Sequence, residues 1–286
     1  MKHVIFTSTS AKYYGFLVKH WLKSLRENVN LNNIDVVLLD YGLTKGELEK
    51  LQKEPVKVCS CKPDARVNNI RFRDMANYLK KHKYDQVLSI DGGDIIFQKD
   101  ISPIFNTNKT SVRAVCEEVT LEINKFNMKM IFKDFFYEKD IKKILKTIKG
   151  KEMINCGVIF GPSDRFRKMC EEAYDLIKDK TKFGPEQIAI NYVLYKEGFV
   201  RLDRGYNFML ARNDEHFYIK RGVFYYRDHE KIPIVHNVGY KLAFRPVTNF
   251  GYGPRYNKLK KFTYYSIKTM LKAFKEFEEF FLRKNK

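Results

Sequence analysis

Short continuous apolar runs alternate along this chain with apolar stripes at helical spacing. Residues 4–6, 36–39, 87–90 and 157–160 form the runs and predict strands, those at 36–39 and 87–90 buried, and residues 56–58 read as a further strand. Tyr14, Leu17, Val18, Trp21 and Leu25 fall on one face of a helix. So do Phe72, Met75, Ala76 and Leu79, and later Phe166, Met169, Cys170, Ala173 and Ile177. Thr44-Lys45-Gly46-Glu47 has the form of a capping box and predicts a short helix. This βαβα order predicts an α/β fold, with a mostly parallel central sheet and helices on both faces. The stripes are assigned to core.

Two stretches break the pattern. Residues 116–153 are rich in Lys, Phe and Ile without clear strand signals. They read as a helical insertion near the active-site mouth, or as an extra packing helix. Residues 251–286 carry Ile267, Met270, Leu271, Phe274, Phe277 and Phe281 at helical spacing among lysines. The expected organisation is therefore a catalytic domain over 1–250 and a basic, aromatic, amphipathic helical segment over 251–286.

Composition narrows the class. At 286 residues, with 44% hydrophobic content, the chain can bury a full core and is not disordered. A formal net charge of +20 predicts attraction to something anionic, such as nucleic acid, a membrane surface or a phosphorylated substrate. No helix-turn-helix, zinc or RNA-recognition signature accompanies that charge, so nucleic acid is not the expected partner. The five cysteines, Cys59, Cys61, Cys116, Cys156 and Cys170, have no zinc-knuckle or disulfide spacing and suit a reduced, cytoplasmic setting. The N-terminus runs into a strand without a signal-peptide apolar region, and no run is long enough to span a bilayer.

The candidate chemistry sits in Asp91-Gly92-Gly93-Asp94, directly after the strand run at 87–90. Ligands of open α/β sheets bind beyond such strand ends. Two carboxylates placed there repel unless a cation joins them, which suggests a divalent metal. The same four residues also read as an ordinary polar turn.

Four separated motifs then line up in one order. Asp91-Gly92-Gly93-Asp94 resembles the D-x-D element of the GT-A glycosyltransferases. Asn155-Cys156-Gly157-Val158 is similar to their N-x-G-V strand start, and Glu186-Gln187-Ile188-Ala189-Ile190-Asn191 to their D-Q-x-x-x-N helix start. His236-Asn237-Val238-Gly239-Tyr240-Lys241 is similar to their closing H-x-x-G-x-K. The chain most resembles the family-8 type, which includes bacterial lipopolysaccharide galactosyl- and glucosyltransferases and the glycogenins. There are departures. Two residues rather than one separate the aspartates, and Thr7-Ser8-Thr9-Ser10 replaces a strand-end aspartate that touches the base. Glu186 stands for an aspartate, and a Pro-Trp after the closing lysine is missing.

The resemblance implies a GT-A (Rossmann-like) fold and transfer of a hexose, with retention, from a nucleotide sugar to a glycan or lipid-linked acceptor. UDP is the family's commonest nucleotide. It implies a metal site of Asp91, Asp94 and His236, whose hard oxygens and one imidazole suit Mn²⁺ or Mg²⁺. Thr7, Ser8, Arg73, Asp91, Asn155, Gly157, Gly239 and Lys241 are the implied substrate-binding residues, and Gln187 and Glu186 the implied catalytic ones. A lipopolysaccharide acceptor would place the enzyme peripherally on the inner face of the cell membrane, with the C-terminal segment against anionic lipid. Two other readings stay open: a metal-dependent phosphoesterase or nuclease, and a GT-A-fold binding protein without activity.

Overall fold

In the computed structural model, which describes residues 1–120, 132–211, 217–238 and 245–260, the predicted strands lie side by side in a seven-stranded sheet, whose edge strand over 57–60 is largely exposed. Its first strands are β1 (His3–Thr9), β2 (Ile34–Asp40), β3 (Lys57–Ser60) and β4 (Gln86–Ile90). A short strand, β5 (Ile95–Phe97), leaves the sheet. Then β6 (Arg113–Thr120), β7 (Glu152–Pro162) and β8 (Val200–Arg201) complete it. The order is β3-β2-β1-β4-β7-β6-β8. Pairing is parallel from β3 through β4 and between β6 and β8, and antiparallel where β7 meets β4 and β6.

Alternate residues of β1 explain the two layers. Val4 and Phe6 face one side of the sheet, with the Phe72, Met75 and Ala76 stripe of helix α4 (Val67–Lys81), while Ile5 faces the other. On that second side lie α1 (Ala11–Phe16), a π-helical turn (Leu17–Leu22) and α2 (Lys23–Asn28), which bury Leu17, Trp21 and Leu25. Helix α3 (Lys45–Leu51) opens with the predicted capping box: Thr44 accepts from the Glu47 N–H, and Glu47 accepts from the Thr44 N–H. Helix α4 (Val67–Lys81) packs with α6 (Ser163–Leu176), which in turn packs on α7 (Pro185–Glu197).

The region 116–153 departs from the helical reading. Its start belongs to β6 and its end to β7, because Cys116 and Val115 bury on opposite faces of the sheet, as a strand requires. Between them, after a short helical stretch at 132–135, helix α5 (Glu138–Ile148) packs on α7, with Ile144 and Ile148 fully buried. Residues 121–131 fall outside the described set.

A smaller sheet pairs β5 with β12 (Ile234–His236) antiparallel, and β12 with β9 (Phe208–Met209) parallel. Two hairpins flank it, β10 (Phe217–Lys220) with β11 (Val223–Tyr226), and β13 (Val247–Thr248) with β14 (Lys258–Leu259). Residues 251–260 are therefore not the start of a helix. Tyr252 N–H donates to His20 Nδ1 (3.0 Å), and Asn257 is buried, donating to the Gly222 and Gly251 carbonyls. Ile267, Met270, Leu271, Phe274, Phe277 and Phe281 lie outside the described residues.

Candidate active site

The turn after β4 is held by its backbone. Asp91 N–H donates to the Gly157 carbonyl of β7 (2.9 Å), and the Trp21 indole donates to the Asp91 carbonyl (3.1 Å). Asp94 leads into β5, and its carbonyl accepts from the Asn237 N–H (2.9 Å). The glycines between them serve close approach. A Cβ on Gly92 would lie 2.5 Å from Thr7 Oγ1, and one on Gly93 would lie 2.9 Å from the Tyr13 ring. The turn is thus pressed flat onto the end of β1. This absorbs the second glycine without separating the aspartates. His236, at the end of β12 opposite Ile95, completes the group. Its Nε2 lies 3.3 Å from Asp94 Oδ1 and 3.9 Å from Asp91 Oδ2.

Two arginines balance the carboxylates. Arg71, buried on α4, pairs with Asp91 and also donates to the Cys156 carbonyl (3.3 Å). Arg245 pairs with Asp94 (3.2 Å). Burial alone would lower the His236 pKa, but the Asp94 carboxylate more than reverses this, and the imidazole titrates above its usual value. Burial would raise Asp94, yet His236 and then Arg245 hold it below the ordinary carboxylate range.

A continuous file of side chains runs inward from this group. His236 Nδ1 meets Asn207 Oδ1 (2.8 Å), and Asn207 Nδ2 donates to Asn155 Oδ1 (2.9 Å). Asn155 Nδ2 donates to Glu117 Oε1 (2.8 Å), which also accepts from Gln187 Nε2 (3.2 Å). Asn207 and Glu117 are both buried.

The donors fit a hard divalent cation. One ligand atom each from Asp91, Asp94 and His236 lies within 4.8 Å of the others, and among the described residues no second cluster of this kind occurs. Two carboxylates and an imidazole suit Mn²⁺ or Mg²⁺ in type. Gly157 keeps the space open: a Cβ there would stand 2.6 Å from His236 Cε1 and 3.0 Å from Asp91 Oδ2.

The sequence pattern of Glycosyl transferase family 8 matches residues 4–241. The chain belongs to this family. An active-site mutant of LgtC superposes with a TM-score of 0.55 at 18% identity, covering 82% of this chain and 87% of that one. A complex of the galactosyltransferase LgtC with donor and acceptor sugar analogs gives 0.51 at 19% identity, covering 85% and 88%. The apo form of the glycosyltransferase GlyE of Streptococcus pneumoniae TIGR4 gives 0.54 at 16% identity, covering 88% of this chain but 57% of that one. No curated protein matches the sequence. The protein is a family 8 glycosyltransferase, and enzymes of this family typically depend on a divalent metal. Among the described residues no helix is long and apolar enough to cross a membrane.

The family 8 site gathers most of the residues named from sequence. Thr7 and Ser8 stand beside Gly92 at the end of β1. Asn155 lies within the polar file with both ends of its amide engaged. Glu186 is buried at the start of α7, where it accepts from Asn68 Nδ2 (3.3 Å) and the Gly184 N–H (3.1 Å). Arg73 is placed elsewhere. It pairs with Asp64 (2.9 Å) and Asp74 (2.8 Å) and lies over the Tyr174 ring. Gly239 and Lys241 fall outside the described residues.

Sequence reasoning passed over Arg71, Glu117, Asn207 and Arg245. Arg71 and Arg73 flank the buried stripe of α4 from opposite sides, Arg71 four residues before Met75 and Arg73 three before Ala76, so spacing alone does not choose between them. Glu117 and Asn207 carried no signal, because each is one polar residue in a segment without a motif.

Proposed function

We propose that this family 8 glycosyltransferase moves a hexose from a UDP-linked donor to a glycan or lipid-linked acceptor, with retention of configuration. One observation carries the reading. Asp91, Asp94 and His236 converge at the strand ends where α/β enzymes bind nucleotides. They would hold Mn²⁺ or Mg²⁺, which when bound neutralises charge on a departing diphosphate as a Lewis acid. Gly239 and Lys241 are assigned to that diphosphate, while Thr7 and Ser8 are assigned to the nucleoside side.

The sugar would lie between this group and Gln187. Glu117 takes the amide nitrogen of Gln187, which turns the carbonyl oxygen away from that carboxylate. Directed at the anomeric carbon, that oxygen would stabilise the positive charge that develops as the bond to the diphosphate breaks. An amide is a poor nucleophile, so the acceptor hydroxyl attacks on the face the diphosphate leaves. Its proton passes to a diphosphate oxygen. Glu186 and Asn155 shape the hexose side.

A phosphoesterase is less well supported, since it would want further acidic ligands near the same strand ends. The full chain incubated with a panel of nucleotide hexoses and Mn²⁺ separates the two. Release of nucleoside diphosphate, abolished by EDTA, is expected. Release of inorganic phosphate from phosphomonoesters, with every nucleotide sugar untouched, would overturn the reading.

A further inference from the structure

The file of amides beside His236 has a direction, and both of its fixed ends set it. The Gly157 N–H can only donate, so the Asn155 atom it meets at 2.8 Å is the carbonyl oxygen. The Glu117 carboxylate accepts, so the atom that faces it at 2.8 Å is the Asn155 nitrogen. The Asn155 oxygen also faces Asn207, which must therefore present its own nitrogen, at 2.9 Å. That leaves Asn207 Oδ1 against His236 Nδ1 at 2.8 Å. An amide oxygen cannot donate. Nδ1 therefore carries a proton, and Nε2 faces Asp91 and Asp94.

Reversing any one amide would set two donors or two acceptors against each other in a dry interior, which is strongly disfavoured. Asn207 is itself tightly placed. It ends the 3₁₀ turn Arg204–Asn207, is fully buried, and enters β9, which runs parallel to β12 with Met209 opposite His236.

We propose that Asn207 is a positioning residue that holds a proton on His236 Nδ1, so that in the neutral ring the lone pair lies on Nε2, aimed at the cation position. The use of that lone pair rests on the metal reading above; the tautomer does not. A metal-bound histidine generally needs such a partner on its other nitrogen, and loss of the partner weakens metal binding. Glu117 gives the file a second consequence. The carboxylate that fixes the Asn155 amide also accepts from Gln187, so one group orients both ends of the site.

The test uses the full chain labelled with ¹⁵N-histidine, free of metal, at alkaline pH where the ring is neutral. The His236 signals are assigned by their loss in His236→Gln. The wild-type spectrum should show Nδ1 protonated and Nε2 unprotonated; the opposite pattern overturns the proposal. Asn207→Leu should release the preference and weaken Mn²⁺ binding, read by the electron paramagnetic resonance of free Mn²⁺, by about 10- to 100-fold. Asn207→Asp keeps an acceptor opposite Nδ1 but sets its second oxygen against Asn155 Oδ1, so it should hold the Nδ1 proton at some loss of stability; if the leucine variant does not fold, loss of the Nδ1 proton in the aspartate variant would overturn the proposal. Mn²⁺ affinity and tautomer both unchanged in Asn207→Leu would overturn the proposal and leave the metal reading intact. A wild-type Nδ1–H tautomer without Mn²⁺ binding would support the proposal and sink the metal reading alone.

Discussion

Arg71 spans from the buried side of α4 to the Asp91 carboxylate, and its second amino group donates to the Cys156 carbonyl on β7. It thereby ties Asp91, a ligand in the proposed metal site, to the strand next to it. Asp91 keeps this buried guanidinium charged although burial opposes the charge. A lysine supplies one point charge and cannot make both contacts. Arg71→Lys is expected to lower donor turnover by about 10- to 100-fold, as loss of a partner to a metal ligand does. Arg73→Ala should leave turnover near wild type and lower stability by about 1 kcal/mol or less, since its pairs are with Asp64 and Asp74 near the surface. Steady-state kinetics and urea melts of the two variants check both halves.

Gly157 is the residue whose side chain the site has no room for. Gly157→Ala should fold, because the flanking strand residues are unchanged, but its methyl group would push on His236 and Asp91. Wild-type protein should gain melting temperature on addition of Mn²⁺, as any ligand that binds only the folded state confers. The alanine variant should lose most of that gain. An equal gain in both proteins would show that the imidazole and carboxylate do not share a cation.

Gln187→Ala is expected to lower kcat by about 100-fold with a small change in KM, the pattern of a contact made in the transition state. The measurement is a substrate titration with the donor that the panel identifies. A raised KM with unchanged kcat would make Gln187 a ground-state binder.

Asp35 gives a pH signature unconnected with catalysis. Burial would raise its pKa, but Lys57 (2.7 Å), Tyr84 (2.7 Å) and Lys2 (3.0 Å) together hold it down to about 2. A depressed carboxylate stabilises the fold above its unfolded value near 4 and loses that contribution as pH falls toward 2. Two of its partners are lysines more than half exposed, so solvent reduces the effect. Asp35→Asn should cost about 1 kcal/mol at pH 7, and the difference should close between pH 4 and pH 2 in denaturant melts.

The C-terminal segment is proposed to hold the enzyme at anionic lipid. Beyond Gly251 the sequence has ten Lys and Arg against three Glu. Each basic residue near such a surface is worth roughly 1 kcal/mol. Because residues 251–260 pack on the catalytic body, the informative truncation follows Lys260. The full chain should float with phosphatidylserine vesicles at low salt and the truncated chain should not. Equal flotation of the two would refute membrane attachment through this segment.

The inner parallel strands β1, β2 and β4 were legible because they are buried on both faces and so appear as unbroken apolar runs, whereas the edge strand β3 is largely exposed and its run is broken by Lys57. The capping box and the Asp91–Asp94 pair were legible because local chemistry fixes them. The antiparallel half was not. Strand β6 carries charged residues, Arg113, Glu117 and the neighbouring Glu118, so no apolar run marks it. Strand β5 is three residues long, and its partner β12 lies more than a hundred residues away, so neither announces the other. Arg71 and Arg73 differ by 200° of helix rotation, which turned one near-miss in register into the wrong face. The file through Asn207 depends on three elements meeting, and no spacing along the chain encodes it.

The π-helical turn over Leu17–Leu22 sets how this helix can change in length. It holds one residue more than a regular turn would. That extra residue lets neighbours serve distant parts of the chain: Trp21 braces the carbonyl of Asp91, and His20 accepts from the Tyr252 N–H. Excision of one residue there would restore regular winding and rotate everything before it by about 100° against everything after it. One of the two braces would then face the wrong way. Loss of a single residue within this turn would therefore disturb the backbone of Asp91, although the turn itself supplies none of Asp91, Asp94 and His236.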